Sequence, residues 1–136
     1  MPLNHLIGPK KRPDGTGLPL SGAVQAGDFI FLSGQLAMNA ENQIEGDGIE
    51  EQTARTLANI DATLREIGRS KTDVVKATVW LTSTDDFMGF NKAYAAFFGG
   101  ILPPARSTVC TALMAAAALI EIEMLVYAGD RDTGIN

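Results

Sequence analysis

The chain has 136 residues, of which 46% are hydrophobic and 20% charged, with a net charge of -5 at pH 7. Length and apolar content suit one packed domain spanning residues 1–136. The acidic balance argues against a polyanion as the main partner, because nucleic-acid affinity comes largely from Lys and Arg neutralising phosphates.

Residues 1–19 carry Gly8, Pro9, Pro13, Gly15, Gly17 and Pro19, and they read as an irregular segment with one short edge strand around Leu6. The longest basic run, Lys10-Lys11-Arg12, falls in this stretch and reads as a solvated charged segment. Segments 21–25 and 29–33 are strand-like, and Gly27 between them can take the positive φ of a hairpin connection. Asp47-Gly48-Ile49-Glu50 has the spacing of a capping box. Beyond it Leu57, Ile60, Leu64 and Ile67 recur every three or four residues, which predicts an amphipathic helix ending at Gly68. Segment 74–81 is rich in β-branched residues and predicts a strand with Val75, Ala77, Val79 and Leu81 on an apolar face. Segment 85–98 returns to helical spacing, with Phe87, Phe90, Tyr94 and Phe97 assigned to the core and Gly99-Gly100 ending the helix. Segments 106–111 and 120–128 read as the last two strands, while the alanine-rich 112–118 fits a short helix and a turn equally well.

That order predicts an α+β fold in which two helices cover one face of a mixed sheet. In 120–128 both strand faces carry bulky apolar residues, Ile120, Ile122 and Val126 on one and Leu125 and Tyr127 on the other. A cyclic self-association that hides the second sheet face is therefore expected.

Few residues can carry chemistry. Cys110 is the only cysteine, so an intrachain disulfide is excluded, and its strand position reads as a small buried residue. His5, the only histidine, reads as exposed near the terminus. One His and one Cys build neither the usual metal site nor a Cys/His nucleophile pair, and no Gly-rich phosphate loop is present, so neither metal nor nucleotide cofactor is expected. No apolar stretch approaches the ~20 residues of a membrane span and no signal-peptide core is visible, which predicts a cytoplasmic protein without a membrane partner. What remains is Arg106, stiffened by Pro103-Pro104, and the pair Glu121 and Glu123. A planar guanidinium suits bidentate capture of a carboxylate, and two glutamates two residues apart on a strand share one face about 7 Å apart. On residue types alone, an Arg106–Glu121 ion pair and solvent-facing glutamates account for these residues as well.

Four blocks occur in a telling order: Phe31-Leu32-Ser33-Gly34-Gln35, then Asn91 with Tyr94, Phe97 and Phe98, then Pro104-Ala105-Arg106-Ser107, then Ile120-Glu121-Ile122-Glu123. From about residue 20 to 128 the sequence resembles the reactive intermediate deaminases, also known as L-PSP endoribonuclease-like proteins. The resemblance implies a chorismate-mutase-like fold and a homotrimer with a central barrel and three intersubunit clefts. It also implies cofactor-free hydrolysis of small 2-imino or enamine acids to 2-keto acids and ammonia. By the same resemblance Arg106 binds the substrate carboxylate and Glu121 positions the hydrolytic water, with Gly34, Asn91, Ser107 and Thr108 around the cleft. Two departures bear on substrate choice. Leu20 follows Pro19 where many relatives have a tyrosine, and Leu113-Met114-Ala115-Ala116-Ala117-Ala118 replaces a polar turn. Both make the site less polar, which points to a bulkier imino acid or an aminomuconate-type enamine. Outside this class, a non-catalytic carboxylate binder remains open, and a ribonuclease is disfavoured by the acidic balance and the lack of a histidine pair.

Overall fold

The computed structural model describes residues 2–130. Six strands form one mixed sheet: β1 (Asn4–Ile7), β2 (Ala23–Ala26), β3 (Phe29–Leu32), β4 (Val74–Leu81), β5 (Ala105–Cys110) and β6 (Ile120–Tyr127), in the spatial order β1-β2-β3-β6-β4-β5. β4 and β5 run parallel, and the other neighbours are antiparallel. Helices α1 (Ile49–Glu66) and α2 (Phe87–Phe97) lie on one face. Between that face and the helices sits the core, with Val79, Ile120 and Ile122 from the sheet, Leu57 and Ile60 from α1, and Phe90 from α2 all at most 1% exposed. The expected α+β layering is thus what forms. β2 and β3 make the expected hairpin, turning through Gly27 at φ +60°, and the short N-terminal strand pairs as an edge beside β2.

Several local expectations shift. α1 starts at Ile49 with Gly48, fully extended and lacking a side chain, as its N-cap. The capping box expected from Asp47 to Glu50 is therefore absent; instead the Asp47 N–H donates to the Glu51 carboxylate at 3.1 Å. On β4 the predicted alternation breaks at Val75. Val74 pairs with Val126 and Lys76 with Leu125, so a bulge turns Val75 outward, 39% exposed, and places Val74 with Ala77 on the core face. The aromatic stripe of α2 is only partly core: Phe90, Tyr94 and Phe98 are buried, Phe97 is half-buried, and Phe87 is 41% exposed. Cys110 is exposed rather than buried, because β5 is a sheet edge.

Segment 112–118 forms turns rather than a helix. What fixes it is Gln52, buried at 3% exposure on α1. Its amide N–H groups donate to the carbonyls of Gly46 (3.3 Å) and Ala117 (3.1 Å), and its Oε1 accepts the Leu119 N–H at 2.9 Å. One side chain thus ties two loops to the entry of β6. Gln52→Leu leaves these backbone groups without partners, and we expect a loss of about 1–3 kcal/mol, read as a lower urea midpoint at unchanged m value.

The sheet face opposite the helices carries Phe29, Phe31 and Val109, between 41% and 53% exposed, beside half-buried Trp80, Leu125 and Tyr127. Phe29 and Tyr127 meet edge to face at 5.6 Å. No helix among the described residues is long and apolar enough to cross a membrane.

Candidate active site

Strand parity decides where each candidate side chain points. On β6 the residues Ile120, Ile122, Met124 and Val126 face the core, so Glu121 and Glu123 share the opposite, open face. Glu121 lies across from Trp80 and Glu123 across from Thr78. After β3 the chain stays paired to β6, since Gln35 and Ile122 exchange backbone hydrogen bonds of 2.8 and 3.0 Å. This pairing lays Gly34 against the Glu121 carboxylate, and a Cβ at Gly34 would fall on Oε2 of Glu121. The missing side chain is what makes room for the carboxylate. Burial, and then the like charge of Glu123, hold the Glu121 carboxyl above the ordinary glutamate range. Such a carboxylate accepts a proton more readily near neutral pH than a solvated one.

Ser107 belongs to the same open face. It pairs with Thr78, and its hydroxyl accepts a hydrogen bond from the Lys76 ammonium at 3.0 Å. A recess of about 410 Å³ here is bordered by Ser33, Gly34, Lys76, Thr78 and Glu123. A larger one, about 980 Å³, meets it at Ser33 and Gly34 and carries Leu18, Leu20, Leu36 and Met38 on its walls.

Arg106 points the other way. It pairs with Ala77, a core-facing residue, and its guanidinium carbon lies 4.8 Å from the ring centre of Tyr94, 4.9 Å from Phe90 and 5.9 Å from Phe87. Among the described residues no carboxylate pairs with it. Asn91 sits on α2 one turn from both Phe87 and Tyr94, half-buried. Thr108 shares the strand face of Arg106; its hydroxyl and that of Tyr94 are buried without a hydrogen-bond partner among the described residues.

The candidates therefore divide into two groups: Gly34, Glu121 and Ser107 on the open face, Arg106, Asn91 and Thr108 on the helix side. Ala77 and Trp80, the β4 partners of Arg106 and Glu121, are three residues apart and so face opposite ways. β4 also lies between the strands that carry them. An Arg106–Glu121 ion pair within the chain is excluded. Lys76 and the ring cluster over Arg106 were not singled out by the sequence as parts of a site. The spacing of Phe87, Phe90 and Tyr94 was visible, but what lies above those rings depends on the register of β5.

A family profile described as endoribonuclease L-PSP matches residues 10–128. The chain belongs to the endoribonuclease L-PSP family. A RutC family protein of Pyrococcus abyssi is 40% identical over 125 residues, covering 90% of this chain and 96% of the relative. A goat protein named 2-iminobutanoate/2-iminopropanoate deaminase is 34% identical over 132 residues, covering 96% and 95%. The solved structure of the YjgF gene product of Escherichia coli superimposes with a TM-score of 0.74 at 32% identity, covering 80% of this chain and 87% of that one. Names within the L-PSP family thus point to two chemistries, a nuclease and an imine deaminase. The one histidine, His5, lies exposed on β1, at the opposite sheet edge from Arg106. It cannot serve as an acid or base beside Arg106 in the same chain.

Proposed function

We propose that this chain is a hydrolytic deaminase of reactive 2-imino and enamine acids, releasing 2-keto acids and ammonia. The observation that carries the reading is a pair of groups suited to that reaction, a guanidinium with no carboxylate partner among the described residues and a half-buried carboxylate of raised pKa. The name of the goat relative supports it. Arg106 holds the substrate carboxylate through charge-assisted hydrogen bonds. Glu121 takes a proton from a water molecule as its oxygen attacks the C=N carbon of the protonated imine. The proton then passes to nitrogen in the tetrahedral carbinolamine. The C–N bond breaks, ammonia leaves, and the hydroxyl oxygen becomes the keto group as it gives its proton to the Glu121 carboxylate, which releases it to solvent. Gly34, Asn91, Ser107 and Thr108 surround the substrate in this reading. The iminium supplies its own electrophile, so positioning and proton transfer are the protein's contributions.

Because Arg106 and Glu121 leave opposite faces of one sheet, a substrate a few ångströms long meets both only when a second copy contributes one of them. A homotrimer, closing through the apolar open face with Phe29, Phe31 and Val109, supplies that arrangement and removes those side chains from water. Sedimentation at micromolar concentration is expected to give three chains per particle; a monomer would overturn this part of the proposal.

Imines generated in situ by an amino-acid oxidase provide the activity test. Keto acid and ammonia release is expected to accelerate with the wild type, and Arg106→Ala is expected to lower kcat/KM about 10²-fold through loss of the anchor. Leu18, Leu20, Leu36 and Met38 on the wall of the recess beside Gly34 favour bulky apolar substrates, so the leucine-derived imine is expected to be hydrolysed faster than the alanine-derived one. Equal turnover of the two counts against that preference. Absence of turnover with any imine or aminomuconate-type enamine leaves a carboxylate-binding protein.

A further inference from the structure

We propose that Phe87, Phe90 and Tyr94 are positioning residues for Arg106, fixing its guanidinium by cation–π attraction while leaving its N–H donors free for a carboxylate. The proposal rests on the reading of Arg106 as the substrate anchor and adds to it the groups that hold the anchor still. An arginine side chain is long and loses considerable rotamer freedom when fixed. The usual device is an aspartate or glutamate partner, which occupies the donors and cancels the charge. Arg106 has none among the described residues, yet three ring centres lie within 5.9 Å of its guanidinium carbon. An aromatic face attracts a cation through its quadrupole at such distances. It does so without accepting the in-plane N–H groups that a carboxylate needs.

The three rings form a ladder along one helix face. Phe87 and Phe90 stack at 6.5 Å with planes 30° apart, and Phe90 and Tyr94 are 5.2 Å apart. Core packing accounts for Phe90 and Tyr94, but not for Phe87, which is 41% exposed and outside the buried cluster. Its neighbours give it a role in holding Arg106. The other cation over a ring of α2 offers a contrast: Lys71 lies 4.7 Å from the Phe97 ring, but its ammonium already donates to the Phe97 carbonyl at 2.6 Å. That contact closes on itself. Among the described residues the Arg106 guanidinium has no carboxylate partner to occupy its donors.

Phe87→Leu is the informative variant, because it keeps apolar volume at a partly exposed site and removes only the ring. Two readouts are needed: KM and kcat for the leucine-derived imine, and the Kd of the corresponding keto acid by calorimetry. Phe87→Leu is expected to raise KM and Kd about three- to tenfold with kcat within about twofold of wild type, and Phe87→Trp is expected to restore both. Unchanged KM and Kd in Phe87→Leu would overturn the proposal, as would equal weakening in Phe87→Leu and Phe87→Trp, which signifies packing rather than ring electrostatics. If wild type binds the keto acid but turns over no imine, the deaminase reading fails while the Kd series still decides the role of the rings. If wild type binds neither, Arg106 holds no carboxylate and both fall.

Discussion

Mixing Arg106→Ala chains with Glu121→Gln chains is expected to restore much of the deaminase activity that each variant loses alone. The expectation comes from strand parity. Arg106 lies opposite Ala77 on the core-facing side of the sheet, and Glu121 lies opposite Trp80 on the open side, with β4 between them. Neighbouring strands are about 4.8 Å apart, so the two strands are about 10 Å apart and the sheet backbone separates the two side chains. A site that uses both must take Arg106 from one chain and Glu121 from the next. In randomly reassorted trimers from equal amounts of the two variants, a site has even odds of an intact arginine and independently even odds of an intact glutamate. Roughly a quarter of sites are then complete. Recovery of about a quarter of wild-type kcat/KM after co-refolding, with none on simple mixing of assembled trimers, is the expected pattern. No recovery in co-refolded trimers would show that each site draws both residues from one chain, and the proposed intersubunit arrangement would fail.

The layered fold was legible because its signals are local. Apolar spacing along 57–67 and β-branched density along 74–81 mark elements whose cores are made of those same residues, Leu57, Ile60, Leu64, Ala77, Val79 and Leu81. The hairpin announced itself through Gly27, which turns at positive φ. Val75 was misplaced because a bulge is a property of two strands, and its partner residues Val126 and Leu125 lie about fifty positions away in sequence. The start of α1 moved because Gly48 takes the N-cap position and has no side chain with which to close the expected box. At the site, the residue types of Arg106 and Glu121 were readable, but their relative placement was not. Which face Arg106 joins depends on the parallel pairing of β5 with β4, a non-local choice that composition does not encode. For the same reason the rings of α2 read as core, whereas Phe87 lies at the surface beside the guanidinium.

Glu121→Gln is expected to lower kcat by about 10²–10⁴-fold and, at neutral pH, to raise thermal stability. The activity loss follows from removal of the general base, since an amide cannot take the proton of the attacking water. The stability gain follows from the environment of the carboxylate. Burial first, and the charge of Glu123 second, raise its pKa above the ordinary value of 4.5. The folded chain therefore binds this proton more tightly than the unfolded chain. The group imposes no penalty below the unfolded pKa, and a penalty grows as pH rises through the folded pKa. Glu121→Gln should thus show a higher Tm than wild type at neutral pH, with the difference shrinking as pH falls toward the ordinary glutamate value and gone below it. The same shift sets the acid limb of the kcat/KM profile, because only the ionised carboxylate accepts a proton. Glu123→Gln removes the like charge, so its acid limb should move to lower pH with the maximum rate largely kept. Coincident acid limbs in wild type and Glu123→Gln, or wild-type kcat in Glu121→Gln, would each contradict the role of Glu121 as the base. A lower Tm for Glu121→Gln at neutral pH would instead mean that the carboxylate stabilises the fold, and that its seat against Gly34 is structural rather than a position held for catalysis.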